Sequence, residues 1–362
     1  MDLTDFRPTN ALPKAETMPA RWYLEPEIFA LEQERIFGCC WQFFGPVTEL
    51  RERGDYVTGE MAGEPIVVVR GEDETLRAFS NVCRHRAGPV SAGRGNRRSF
   101  QCGYHGWTYG LDGRLLRAPE MEGIENWEAS RVCLPQYQAA TWGPFVFATL
   151  DASPSPLEQT LGDIQSRVQA RHLTFDDVHL VERRVYDIRC NWKVYVDNFL
   201  EGYHVPIVHP ALFRELDYDR YRVETSRYYS SQDAPLRATD AEKRDETRVY
   251  GARDHGPLYF WVFPNLMLNF YPGNLQVNLV IPVDHGNTRT VFEWYAPAGR
   301  AVDEKLESSI ELSEQIQRED MSICESVQRG LSSRAYDRGR FSVKRENGVH
   351  HFQLLVHEFL TR

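Results

Sequence analysis

Two short segments, Cys83-Arg84-His85 and Cys102-Gly103-Tyr104-His105, stand sixteen residues apart, and each offers one thiol and one imidazole. If all four side chains serve one centre, the chain must fold back so that two loops face each other. Two thiolates on one iron and two imidazoles on the other form the donor set of a [2Fe-2S] cluster with a raised reduction potential. A structural zinc site would pair Cys-x2-4-Cys with His-x3-5-His instead. Gly88-Pro89, Gly103 and Gly106 allow both loops to turn tightly and bring backbone N–H groups towards the sulfurs. Around them, from Trp41 to Leu150, run short stretches such as WQFFGPV, DYVTGEM, PIVVVRG and PFVFATL, bounded by Gly, Asp and Pro. That texture predicts an all-β module of about a hundred residues.

A second constellation lies in Asn191 to Pro210, NWKVYVDNFLEGYHVPIVHP. His204 and His209 are five residues apart and Glu201 precedes the first by three. Two imidazoles and a carboxylate that leave positions open suit ferrous iron that activates O2. A five-residue step in an unbroken helix turns by about 140°, so both rings could not face one ion. Pro206 lies between them, and the helix is expected to break or bulge there. Glu201 and His204 are expected to share a face upstream of that break. Residues 301–330, AVDEKLESSIELSEQIQREDMSICESVQRG, read as one long helix ending at Gly330. It carries Glu319, Asp320 and Glu325 as candidates for a further carboxylate ligand, and spacing does not choose among them.

At 362 residues two domains are expected. Pro154 and Pro156 open a helical pattern, which puts the boundary near residue 152. The β module would then span 41–152, and 1–40 with 153–362 would form the second domain. Residues 21–37 look like one amphipathic helix, residues 173–190 like strands, and 211–255 like a charged surface excursion or subunit contact. Residues 256–283 carry no charged side chain, but four prolines and recurring Asn and Gln argue for buried strands and against a membrane span. His285-Gly286-Asn287 marks a hairpin, and GVHHFQLLVHEFL a final helix whose His350, His351 and His357 are structural.

A net charge of −10 disfavours nucleic acid and anionic membranes as partners. Seven cysteines, an odd number, disfavour a disulfide framework, and Cys39, Cys40, Cys133, Cys190 and Cys324 read as buried thiols. With no basic and apolar leader at the N-terminus, a cytoplasmic protein is expected. The chain has no G-x-G-x-x-G between a strand and a helix, so NAD(P)H would act only indirectly, through a separate reductase or ferredoxin. Arg84, Arg86, Arg94, Arg97 and Arg98 offer that partner a basic patch, or serve only loop solubility and hydrogen bonding.

The first motif, down to GYHGWTYGLDG, resembles the Rieske domain. The run NWK…DN…EGYH…HP resembles the iron-binding stretch of the α subunits of Rieske non-haem iron oxygenases. The resemblance covers nearly the whole chain. It implies an α+β fold: an all-β Rieske [2Fe-2S] domain plus a catalytic domain built on a helix-grip-like antiparallel sheet with long helices. It implies Cys83, His85, Cys102 and His105 as cluster ligands, and His204, His209 and Asp320 as ligands of a mononuclear Fe(II). Glu201 and Asn198 become catalytic residues, with Glu201 bridging His204 to His105 of a neighbouring subunit in a homotrimer. That bridging position is usually Asp. Glutamate there, with ELDYDRYRVET, ICESVQRGL and GVHHF, resembles the branch of choline monooxygenase, glycine betaine and carnitine oxygenases. The implied reaction is hydroxylation, with possible N-demethylation, of a quaternary ammonium compound by O2. Tyr203, Tyr259, Trp261, Phe263 and Tyr271 are the candidate aromatic faces of the pocket. Competing readings are an aromatic ring hydroxylase or aryl ether O-demethylase of the same family, and a non-catalytic electron-transfer or zinc-binding protein.

Overall fold

The structure, a computed structural model, describes residues 2–173, 176–237, 256–299 and 302–362. Contacts divide the chain into two units, Phe37–Leu157 and the combination of Met1–Ile36 with Glu158–Arg362.

In the first unit, alternating apolar runs build an antiparallel seven-stranded sheet. Its order is Gln42–Pro46, Phe145–Thr149, Gln136–Trp142, Leu76–Ser80, Glu64–Arg70, Asp55–Met61 and Arg94–Asn96. A small sheet of Phe100–Gln101, Thr108–Tyr109 and Leu115–Arg117 presents residues 102–107 as a tight loop. Tyr56, Val67, Phe79, Phe100, Trp107 and Tyr109 pack into one cluster with Cys83 and Cys102.

The second unit is a seven-stranded antiparallel sheet in the order Val178–Ile188, Asn287–Pro297, Asn274–Asp284, Leu266–Tyr271, Leu258–Val262, Tyr229–Asp233 and Arg222–Thr225. The uncharged stretch supplies three consecutive strands of it, and Leu266–Tyr271 is buried throughout. The expected hairpin closes at Asp284 opposite Asn287, with the Gly286 N–H donating to Asp284 Oδ1 at 2.8 Å. The long helix runs Glu304–Leu331, and the Asp303 side chain accepts from Leu306 N at 2.9 Å as its N-cap, a contact of about 1 kcal/mol. Leu306 and Ile310 pack on Phe292 and Trp294, which lays this helix along the sheet. The C-terminal helix Asn347–Thr361 packs Phe352 against Trp192 and Trp261. The α+β fold expected from the sequence is the fold found.

The motif Asn191-Trp192-Lys193 has a structural explanation. Asn191 caps helix Trp192–Phe199 by accepting from Lys193 N at 3.0 Å, and its Nδ2 donates to His285 O at 2.9 Å. Trp192 Nε1 donates to Glu32 Oε2 at 2.7 Å, and Lys193 Nζ pairs with the other Glu32 oxygen. Lys193 and Glu32 are both fully buried. Removing either partner would leave an uncompensated buried charge, at a cost of about 3–5 kcal/mol.

Several details differ from expectation. Residues 21–37 form Arg21–Leu24, Pro26–Glu32 and a π-helical turn Gln33–Phe37, because Glu25 precedes Pro26 and takes an extended conformation. Residues 173–190 contribute a single strand among those described. Cys39 and Cys133 are exposed; Cys40, Cys190 and Cys324 are the buried thiols of that group. Residues 238–255 of the polar segment lie outside the described residues. Among the described residues no helix is long and apolar enough to cross a membrane.

Candidate metal centres and cavity

In the first unit the ligand loops are shaped by backbone hydrogen bonds. Cys83 N donates to Gly88 O at 2.8 Å and Cys102 N to Trp107 O at 2.9 Å. A Cβ on Gly88 would come within 3.0 Å of the Cys102 sulfur, so glycine lets the first loop close over the second. Both cysteines are buried, whereas His85 and His105 are exposed. Their rings lie 4.6 Å apart, and the His85 ring stacks on Trp107. Tyr109 Oη lies 3.3 Å from Cys83 Sγ and accepts from Arg84 N at 2.9 Å. Inner thiols and outer imidazoles on two facing loops fit a cluster whose histidine edge faces outward. Of the five arginines nearby, Arg94 is paired with Glu49, and Arg97 lies over the Tyr56 ring.

In the second unit, His204 and His209 bracket a one-turn helix, Val205–Val208. Pro206 opens that turn and does not break it. The break falls at His209 itself, whose ψ of 68° is non-helical because Pro210 follows. Glu201 and His204 do meet, but across a turn that lies outside any helix. The two rings end 5.0 Å apart. The long helix brings Asp320 to them: Oδ1 lies 3.0 Å from His209 Nε2 and 3.8 Å from His204 Nε2. One ligand atom from each of the three falls within 4.8 Å of the other two. Two ligands each bonded at about 2.1 Å and at right angles are about 3.0 Å apart, so the group fits one first-row ion.

Each of these side chains is held from behind. Glu201 Oε1 lies 2.7 Å from His204 Nδ1, and its other oxygen accepts from the Tyr203 and His204 N–H groups. Glu319 Oε2 lies 2.6 Å from His209 Nδ1. Asn198 Nδ2 donates to Asp320 Oδ1 at 2.7 Å. Tyr195 Oη donates to Gln317 Oε1 at 2.5 Å and Gln317 Nε2 to Thr290 Oγ1 at 3.1 Å, tying helix, long helix and sheet together one turn before Asp320. Burial alone would lower the pKa of His209, but the Asp320 and Glu319 carboxylates outweigh it and raise it. Two carboxylates around a buried imidazole favour a cation there. Glu325, a fallback ligand, pairs instead with Arg189 at 2.8 Å.

The group lines a cavity of about 110 Å³. Asn198, Glu201, Tyr259 and Tyr271 line it; Tyr203, Trp261 and Phe263 do not. Tyr203 is 57% exposed, because the turn before His204 sends it outward. Trp261 shares a strand face with Tyr259, but two residues carry it about 7 Å farther along, onto Phe352 of the C-terminal helix. Phe263 lies beyond that strand's end and packs on Phe359. Sequence reading missed Tyr195, Tyr221, Asn269, Gln276, Asn278 and Ser313 in the wall. The Asn and Gln recurrence that argued against a membrane span was the signal for Asn269, Gln276 and Asn278.

Residues 40–130 match the Rieske [2Fe-2S] domain family, and residues 175–362 match the ring hydroxylating alpha subunit (catalytic domain) family. The chain is 36% identical to the chloroplastic choline monooxygenase of Arabidopsis thaliana, over 99% of this chain and 86% of that one. It is 33% identical to the carnitine monooxygenase oxygenase subunit of Escherichia coli K12, over 95% of this chain and 93% of that one. The crystal structure of the quaternary ammonium Rieske monooxygenase CntA with L-carnitine superposes with a TM-score of 0.83 at 30% identity, covering 95% of this chain and 96% of that one. Naphthalene 1,2-dioxygenase from Rhodococcus sp., at 20% identity and a TM-score of 0.77 over 96% of this chain and 95% of that one, shares the fold.

Proposed function

The chain belongs to the family of Rieske ring-hydroxylating oxygenase α subunits, and we propose that it is a monooxygenase component that hydroxylates a quaternary ammonium compound such as choline, glycine betaine or carnitine. The observation that carries this reading is a cavity lined both by aromatic residues and by His204, His209 and Asp320. Tyr195, Tyr221, Tyr259 and Tyr271 offer faces to a diffuse cation at about 0.5–2 kcal/mol per contact.

His204, His209 and Asp320 would hold Fe(II), and Cys83, His85, Cys102 and His105 would hold the [2Fe-2S] cluster. When bound, these groups supply O2 activation and one-electron transfer respectively. Hydroxylation consumes O2, two electrons and two protons, and yields one hydroxylated carbon and one water. The electrons come from a separate reductase or ferredoxin that takes them from NAD(P)H. Asn198, Glu319 and Glu201 orient the three iron ligands.

We assign Glu201 a second role, as the bridge from His204 to His105 of a neighbouring subunit in a homotrimer. In support, Glu201 and His204 also line a second cavity of about 270 Å³ with Asp197, Tyr336 and Glu346. Apolar Ile207, 83% exposed, and Tyr203 surround His204 in the sequence and are left for a partner to cover. The related quaternary ammonium Rieske monooxygenase structure is described as giving insight into inter-subunit electron transfer. A cytoplasmic location is part of the same proposal, since a reducing compartment keeps the buried Cys83 and Cys102 thiols available as ligands. Substrate-dependent O2 uptake with a surrogate reductase tests the function: a quaternary ammonium compound should stimulate it and be consumed stoichiometrically.

A further inference from the structure

The cavity wall distinguishes quaternary ammonium compounds by what their tails carry. We infer that this site takes one with an uncharged, hydroxyl-bearing tail, the amino-alcohol class, in preference to one that carries a carboxylate; the inference rests on the quaternary ammonium reading above. Among the described residues that line the cavity there is no lysine or arginine. Its acidic members are Asp320, one of the proposed ligands, and Glu201, which contacts His204. Burial pushes the Tyr221 and Tyr271 phenols up, so both stay neutral.

Two guanidinium groups on neighbouring segments are engaged elsewhere. Arg345 donates to Tyr218 O at 3.0 Å and stands 3.9 Å over the Tyr218 ring. Arg237 donates to Leu216 O at 2.7 Å and lies over the Phe213 ring. Away from the metal ligands, a carboxylate entering this cavity would meet no lysine or arginine among the described residues, and burying an unpaired charge costs far more than burying a hydroxyl that finds a partner.

The wall also presents that partner. Strand register sets Tyr259 opposite Asn269, and Asn269 opposite Gln276, so the three stand in a row across adjacent strands. Gln276 Nε2 donates to Asn278 Oδ1 at 2.8 Å, and Ser313 Oγ donates to Gln276 Oε1 at 3.0 Å, which occupies both ends of that amide. Asn269 is 4% exposed, and its Oδ1 accepts no hydrogen bond from the described groups. A buried acceptor without a donor is a cost that a ligand hydroxyl removes and a carboxylate, itself an acceptor, does not. Turning the amide over would present an N–H instead, but would bring no positive charge.

The test is calorimetric binding to the metal-loaded protein of choline, tetramethylammonium, glycine betaine, carnitine and the neutral isostere 3,3-dimethylbutan-1-ol. Choline should bind about tenfold or more tighter than either carboxylated compound, and about tenfold tighter than tetramethylammonium. Asn269→Leu should narrow the gap between choline and tetramethylammonium, with the cluster's visible absorption as the check on folding. The wild-type panel decides the matter even if that variant misfolds. Glycine betaine or carnitine binding as tightly as choline overturns this inference alone. If no quaternary ammonium compound outbinds the neutral isostere, the quaternary ammonium reading falls and takes this inference with it.

Discussion

Asn198 donates its side-chain N–H to Oδ1 of Asp320 at 2.7 Å, the same oxygen that lies 3.0 Å from Nε2 of His209. The carboxylate is thereby held in place from a different helix, facing the two imidazoles. Replacing Asn198 with Ala should weaken mononuclear iron binding by about 10–100-fold and leave the cluster intact. Iron titration of metal-depleted protein, followed by the cluster's visible spectrum, checks both halves. Glu319→Gln should act in the same direction through His209 Nδ1, which it contacts at 2.6 Å.

Loss of a ligand should have a sharper effect. His204→Ala or His209→Ala is expected to reduce the iron content by one per chain while cluster absorption persists, since the two ligand sets lie in different units. Bleaching of the cluster in either variant would mean that ligands have been assigned to the wrong centre.

The two histidine-bearing stretches stand out in the sequence because each gathers its ligand types within a few residues, whereas Asp320, 111 residues from His209, is singled out by the resemblance alone. The hairpin at Asp284 and Asn287 and the long helix were equally local. What could not be read was the cavity wall. Whether Tyr259, Trp261 or Asn269 faces the iron depends on where along a strand the cavity ends and on pairing with Gln276, which is non-local. Glu319 was weighed as a ligand and proves to support His209, because its neighbour Asp320 already faces the cavity.

Glu201→Gln should keep both metals and lose turnover by about 100-fold or more, as the carboxylate's contact to His204 and its proposed bridge are both weakened. The discriminating readout is a single-turnover reaction of pre-reduced protein with O2 and substrate. A wild-type rate there would remove Glu201 from the electron path.

His351 provides a pH test remote from the metals. Its ring packs against Trp261, and burial, the largest influence, lowers its pKa from 6.5 to about 4. A histidine depressed on folding stabilises the fold above pH 6.5, and that stability drains away as pH falls towards 4. Thermal melts from pH 7 to pH 4.5 should therefore fall less steeply for His351→Gln than for wild type. Parallel curves would assign acid sensitivity to other groups.

What the cavity admits decides the function. The most direct measurement is NADH-dependent O2 uptake by the metal-loaded protein with a surrogate reductase, in which choline, glycine betaine, carnitine, an aromatic acid and an aryl ether are compared with product analysis. A quaternary ammonium compound should raise uptake well above background and be converted in stoichiometric yield. Uptake that stays at background with every amine, while the aromatic acid or ether is stoichiometrically oxidised, would contradict it.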